Sequence, residues 1–212
     1  MQQFNNISTL IFDFGGVLIS LDMDECIRRF KALGVVDVDK YLNKYGQIDF
    51  FMKYEKGTIN TQEFRTELRK HTNNNISDAQ IDDAWCSFVC EIPKEKLELL
   101  EKLKEKYRIV LLSNTNQMHI ERTATAEFAK YSKTIDDYFD HCYLSYEMKM
   151  VKPDRDIFET LLKSEAVNPE NCLFLDDSLK NIEMAKSLGI QSYLVDENEN
   201  LDFLLDSINV IG

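Results

Sequence analysis

The sequence predicts an α/β fold: a parallel sheet with helices on both faces, plus an inserted all-helical unit after the first strand. Three observations carry this. Short, wholly apolar runs alternate with amphipathic segments, as strands buried on both faces do. One long stretch early in the chain breaks that alternation and reads as helical. The 212 residues suffice for one domain plus a modest insertion and for no third unit.

Taken in order, an apolar run beginning at Ile7 leads into a first strand at residues 10–14. Further strands are expected at 109–112, 172–175 and 192–195, with a weaker one at 142–144. Between them lie helical patterns at 94–106, at 154–163, where Ile157, Phe158, Leu161 and Leu162 share one face, and at 181–188. The interruption runs from about Asp22 to Cys90 and contains no strand pattern. Gly34, Gly46 and Gly57 read as helix stops, and Asn60 with Glu63 and Ser77 with Gln80 as capping boxes, with the loop "HTNNNISD" between two helices. The expected division is a core of residues 1–18 and 92–212 with a helical cap of residues 19–91. Open parallel sheets bind ligands beyond the carboxyl ends of their strands, and an insertion after strand one overhangs that edge.

A formal charge of −12 excludes nucleic acid and anionic membrane as general partners, since both select cationic surfaces. An anionic substrate must therefore be drawn in by local groups or by a bound cation. The N-terminus lacks a basic region followed by an apolar one, and no apolar run nears the roughly 20 residues that span a bilayer, so a cytoplasmic protein is expected. The five cysteines are odd in number; Cys86 and Cys90, four apart, supply half a zinc site at most, and reduced thiols are the expectation.

Each strand end carries a polar group of a distinct type. Asp13 follows the first strand, Ser113 and Asn114 follow the second in "LLSNTN", Lys149 and Lys152 follow the third in "KMVKPD", and Asp176 and Asp177 follow the fourth in "LFLDDS". Singly, these are ordinary turn, cap and surface residues. Together they concentrate three carboxylates at one edge, which costs several kcal/mol, roughly, unless a cation or a proton offsets it. Hard carboxylate oxygens suit Mg2+, which typically takes a further ligand from a substrate phosphate. Ser113, Asn114 and one lysine then have the chemistry to bind that phosphate's other oxygens, while Gly15-Gly16 lets the backbone come close.

These segments resemble the four motifs of the haloacid dehalogenase-like (HAD) hydrolase superfamily, in the right order: "FDFGGVLI", "LLSNTN", "MVKPD" and "FLDDSLKNIEMAKSLGI". The resemblance is to subfamily IA, whose Rossmann-like core carries a helical C1 cap between the first two motifs; "YEKGTINTQEF" is similar to cap sequences of its phosphatase-like members. "NTNQMH" is similar, more narrowly, to a group of bacterial sugar-phosphate phosphatases that includes α-glucose-1-phosphate phosphatase. The resemblance implies that Asp13 is a nucleophile that becomes an aspartyl-phosphate. It implies that Ser113, helped by Asn114, binds a phosphoryl oxygen, and that Lys152 neutralises charge on Asp13 and the phosphate. It places Mg2+ between Asp13, the Gly15 backbone carbonyl and Asp177, with Asp176 ligating directly or through water. Lys152 is preferred over Lys149 because it immediately precedes Pro153-Asp154, as in the motif.

One departure matters. In the phosphatase pattern the residue two after the nucleophile is a second aspartate, the acid–base of the reaction, and here it is Gly15. General acid–base catalysis contributes about 10²–10⁴-fold, so the expectation is a Mg2+-dependent phosphatase of a small phosphorylated metabolite that favours good leaving groups, such as a sugar 1-phosphate. Otherwise another acid must serve, with His119, Tyr45 and Glu55 as candidates. Three alternatives stay open: a haloacid dehalogenase-type hydrolase, against which the Asp176-Asp177 pair argues; a phosphomutase, which leans on an acid–base at position 15; and a catalytically silent phosphate-ligand binding protein.

Overall fold

The structure is a computed structural model and describes residues 3–43, 46–47, 49–196 and 199–210. It opens with β1 (Phe4–Ile7) and β2 (Thr9–Phe12) and then passes into α1 (Met23–Ala32), α2 (Val38–Tyr41), β3 (Leu42–Asn43), β4 (Gly46–Gln47), α3 (Asp49–Glu55), α4 (Thr61–Arg69) and α5 (Asp78–Cys86). The remainder alternates: α6 (Lys94–Lys104), β5 (Arg108–Ser113), a π-helical turn (His119–Ala124), α7 (Thr125–Ala129), α8 (Ile135–Tyr138), β6 (His141–Leu144), α9 (Ser145–Met148) and α10 (Arg155–Glu165). It closes with β7 (Cys172–Asp176), α11 (Leu179–Ser187), β8 (Gln191–Leu194), α12 (Leu204–Ser207) and β9 (Ile208–Val210).

Five strands form one parallel sheet in the order β6-β5-β2-β7-β8. Alternate residues serve its two faces, because successive side chains on a strand point opposite ways. Leu10, Phe12, Leu111 and Leu175 pack with Leu97 and Leu100 of α6. Ile11, Val110 and Phe174 pack instead with Ile157, Phe158 and Leu161 of α10 and Ile182 of α11. Apolar residues on both faces are what the continuous apolar runs announce.

The helices between β2 and α6 bury a separate aromatic cluster around Phe30, Phe51, Phe64 and Trp85, all fully buried. Each such ring contributes about 1.5–3 kcal/mol by its burial. Both expected capping boxes form: Asn60 Oδ1 accepts from Glu63 N at 2.9 Å while Glu63 Oε2 accepts from Asn60 N at 2.7 Å, and Ser77 pairs with Gln80 likewise. Gly34 and Gly57 follow α1 and α3 with φ of +80° and +64°, the left-handed stop that glycine adopts without strain.

Two features depart from the sequence reading. β3 and β4 make a minimal antiparallel ladder where no strand is expected, so Gly46 lies in a strand and not at a helix end. Phe4–Ile7 pairs in parallel with Ile208–Val210 outside the main sheet; only Phe4 and Ile7 of "FNNI" are buried, so its polar middle hides the strand from a hydrophobic scan.

The two connections to the helical unit run side by side. Ser20 N donates to Glu91 O at 3.0 Å, Cys90 N to Ser20 O at 2.9 Å and Asp22 N to Phe88 O at 2.8 Å, with Leu21 bridging Val89 in antiparallel sense. The segments that lead into and out of these helices are thus one hydrogen-bonded ribbon.

Candidate active site

The main sheet reverses its strand order at β2, which lies between β5 and β7, and the residue after β2 is Asp13. Such switch points are where open α/β sheets place ligands. Asp13 N donates to Leu175 O at 2.9 Å, which fixes the residue in step with the end of β7. Lys152 Nζ lies 2.7 Å from Asp13 Oδ1 and 2.7 Å from Asp176 Oδ2, with the Lys152 and Asp176 side chains 1% and 0% exposed. Asp176 Oδ1 also accepts from Ser178 N at 2.8 Å and from Asn181 Nδ2 at 2.9 Å. Asp13 Oδ1 accepts from Phe14 N at 2.7 Å.

The electrostatics follow from burial and crowding. Burial raises the Asp13 carboxyl well above the usual range, Lys152 opposes that, and Asp176 and Asp177 add to it. Asp177 is raised by burial and by Asp176, with Lys152 again opposing. Burial lowers Lys152, but Asp13 and Asp176 outweigh it and leave the ammonium above its normal value. Among the described residues one buried cation thus faces three carboxylates, an excess of negative charge that a divalent cation would offset.

The donor set fits such an ion. Asp13, Asp176 and Asp177 each offer a carboxylate oxygen, all within 4.8 Å of one another. Oxygen-only donors suit Mg2+ better than softer metals. Gly16 makes room for the arrangement: a Cβ there would stand 2.3 Å from Asp177 Oδ2, and its φ of +75° suits glycine alone. Gly15 lies in a turn closed by Leu18 N and Ile19 N donating to Phe14 O at 2.9 Å, and by Gly16 N donating to Ile19 O at 2.9 Å.

Ser113 ends β5 on the same edge and is 1% exposed; its Oγ is 3.5 Å from Asn114 O, a weak contact that leaves the hydroxyl able to meet a phosphoryl oxygen. Asn114 uses its side chain on Lys152, accepting from Lys152 N at 2.8 Å and donating to Lys152 O at 2.9 Å. It thereby fixes the backbone that carries the buried ammonium. Lys149, by contrast, is exposed and donates to Gly57 O at 2.5 Å.

Of the candidate acids, His119 is a core residue. Its Nδ1 accepts from Asn116 Nδ2 at 3.0 Å, its Nε2 donates to Trp85 O at 3.1 Å, and its ring stacks on Trp85 with centroids 4.5 Å apart. Both nitrogens are committed, and burial lowers its pKa to about 4. Tyr45 lies outside the described residues. Glu55, the last residue of α3, is buried at the carboxyl edge of the sheet with Lys152 acting on it.

Three contributors escape the sequence reading. Asn181 holds both oxygens of Asp176, at 2.9 and 3.0 Å, from the first turn of α11; its signal is the spacing of five from Asp176. Ser145, fully buried, receives Thr115 N at 2.9 Å and lies 2.6 Å from Glu55 O, tying the β5 loop to α3. Asn116 accepts from Trp85 Nε1 at 3.2 Å across the same junction.

Comparison with known proteins gives a consistent picture. The haloacid dehalogenase-like hydrolase family matches residues 7–189. D-ribitol-5-phosphate phosphatase of Bacteroides thetaiotaomicron is 35% identical over 187 residues, covering 88% of this chain and 91% of that protein. A crystal structure of a HAD family enzyme from the same organism, in complex with magnesium and inorganic phosphate, superposes with a TM-score of 0.91 at 40% identity over 94% of this chain and 99% of the other. A predicted HAD-like family hydrolase from Porphyromonas gingivalis gives a TM-score of 0.87 at 37% identity, over 94% and 96% of the two chains. With the sheet order, the carboxylate cluster and these likenesses in agreement, the chain belongs to the haloacid dehalogenase-like hydrolase family.

Proposed function

We propose that this protein is a Mg2+-dependent phosphatase that hydrolyses a small phosphorylated metabolite, a sugar phosphate or its polyol analogue, through an aspartyl-phosphate on Asp13. The observation that carries the reading is the Lys152 ammonium held at 2.7 Å from both Asp13 and Asp176 beside a three-carboxylate oxygen cluster. Lys152 holds an Asp13 oxygen in place, and its positive charge favours both the ionised nucleophile and an approaching phosphate. Ser113 Oγ and backbone N–H groups of the β5 loop supply donors to the phosphoryl oxygens. Asp13, Asp177, Asp176 and the Gly15 carbonyl would hold the Mg2+, whose role is to neutralise charge on the transferring phosphoryl group. The sugar-phosphate class draws support from the name of the B. thetaiotaomicron relative.

The helical unit, residues 19–91, is read as a cap over a core of residues 1–18 and 92–212; its own aromatic cluster and the paired connections support this. A cytoplasmic setting accords with five free cysteines, because thiols stay reduced there and small phosphate esters are abundant. No described helix is long and apolar enough to cross a membrane.

Gly15 favours a second reading, a silent binder of phosphorylated ligands. Turnover of a phosphate-ester panel with and without Mg2+, with Asp13→Asn as the blank, separates the two. Magnesium-dependent release of phosphate by the wild type alone supports the phosphatase; binding of an ester without hydrolysis supports the silent protein.

A further inference from the structure

Hydrolysis of an unactivated phosphate ester needs a proton for the leaving oxygen, and Gly15 has no side chain to give one. An alternative donor must be a titratable group buried at the carboxyl edge of the sheet and held there by the cap. Glu55 meets each condition. It is 8% exposed and ends α3, whose last turn is seated on the core. The Glu55 carbonyl lies 2.6 Å from Ser145 Oγ, and that same oxygen receives Thr115 N at 2.9 Å, two residues beyond Ser113. Two residues further on, Gly57 abuts Tyr146 so closely that a Cβ would stand 2.0 Å from its carbonyl oxygen. The helix end is thus clamped to the loop after β5 and to α9, beside Lys152.

We propose that Glu55 is the acid–base residue of this reaction, delivered by the cap in place of a side chain at position 15. The proposal rests on the phosphatase reading. In the first step an Asp13 oxygen bonds to phosphorus, the bond from phosphorus to the ester oxygen breaks, and the Glu55 proton passes to that oxygen, releasing the alcohol. In the second, the Glu55 carboxylate takes a proton from water as its oxygen bonds to phosphorus. The bond to Asp13 then breaks, releasing phosphate and restoring protonated Glu55.

The surroundings suit a group that must hold and lose a proton near neutrality. Burial pushes the Glu55 carboxyl up, Lys152 opposes, and the balance is about 7. Among the described residues around it, Lys56 faces Asp154 at 3.9 Å and Lys149 binds Gly57 O. The described phenols nearby are Tyr54, bonded to Thr61 and Met118 N, and Tyr146, bonded to Glu147.

The test compares wild type and Glu55→Gln with Mg2+ on p-nitrophenyl phosphate and on D-ribitol 5-phosphate, a primary alkyl ester. Glutamine preserves shape and removes the proton. On the alkyl ester, kcat/KM falls about 10²–10⁴-fold. On the aryl ester, whose leaving group departs without protonation, kcat/KM changes less than about tenfold, while kcat drops and a burst of one nitrophenolate per site appears because dephosphorylation lacks its base. The wild-type kcat/KM for the alkyl ester declines above about pH 7, and that decline is absent from the variant. Equal loss of kcat/KM on both esters, or a surviving alkaline decline, overturns the assignment of Glu55 and leaves the phosphatase reading standing. No turnover of either ester by the wild type overturns both.

Discussion

Lys152 and Asp176 form a buried ion pair at 2.7 Å whose members are 1% and 0% exposed, and the same ammonium also holds Asp13. The pair is a structural member as much as a chemical one, because each charge left alone would be buried without compensation. Replacing Lys152 by methionine should lower kcat/KM at least ~10³-fold and destabilise the metal-free protein by about 3–5 kcal/mol. Thermal melts in EDTA and in Mg2+ check this. The rise in Tm caused by Mg2+ should be larger in the variant than in the wild type, since the ion then offsets more unbalanced charge.

Gly16→Ala should weaken Mg2+ binding more than about tenfold, because the new Cβ displaces Asp177 and sits at a φ that costs ~1–2 kcal/mol for an L residue. Asp177→Asn should weaken binding without the backbone cost. Isothermal titration with Mg2+ and urea unfolding of both variants separate the two effects. In the wild type, EDTA abolishes turnover and excess Mg2+ restores it.

Gly15→Asp should be tolerated. A Cβ at position 15 meets Leu21 Cδ1 at 3.0 Å, but Leu21 is 41% exposed and free to turn toward solvent. The expected cost is below about 1 kcal/mol. In a Glu55→Gln background, the added carboxyl should recover part of the lost activity on primary alkyl phosphates. Steady-state kcat/KM of the single and double variants on one alkyl ester checks it.

His119 makes stability depend on acid. Its folded pKa is about 4 against an ordinary 6.5, so the unfolded chain takes up the proton first as pH falls. The associated stability, about 3 kcal/mol, is fully present above 6.5, is lost progressively below it and is exhausted near 4. Urea melts between pH 7 and 4.5 should show a shallower decline in His119→Asn than in the wild type, even though the variant starts less stable for want of the Trp85 stacking.

What the sequence made legible was whatever rested on periodicity and local chemistry. The central strands β5, β2 and β7 were marked by apolar runs, β6 and β8 at the sheet's edges more weakly, and the caps at Asn60 and Ser77 by paired side chains three residues apart. Asp13, Ser113, Asp176 and Asp177 stood out because strand ends converge in a parallel sheet, and Lys152 was preferred to Lys149 through its motif position before Pro153-Asp154. What stayed hidden was set by contacts distant in sequence. Nothing local says that the Asn114 side chain grips the Lys152 backbone 38 positions away. His119 looked like a spare acid because its stacking on Trp85 exists only once the helical unit packs on the core. Glu55, named with His119 among the candidate acids, is the opposite case, since tertiary burial raises its carboxyl to about 7.

The paired connections at Ser20 and Cys90 have an evolutionary meaning. Because entry and exit are adjacent and bonded to each other, the chain passes into and out of the helical stretch through a single seam. Lengthening, replacing or rebuilding what lies beyond that seam leaves the sheet and its carboxylates in register. Side chains beyond the seam can therefore change while Asp13, Lys152, Asp176 and Asp177 keep their places, provided that Glu55, the one group the reaction draws from beyond it, is kept.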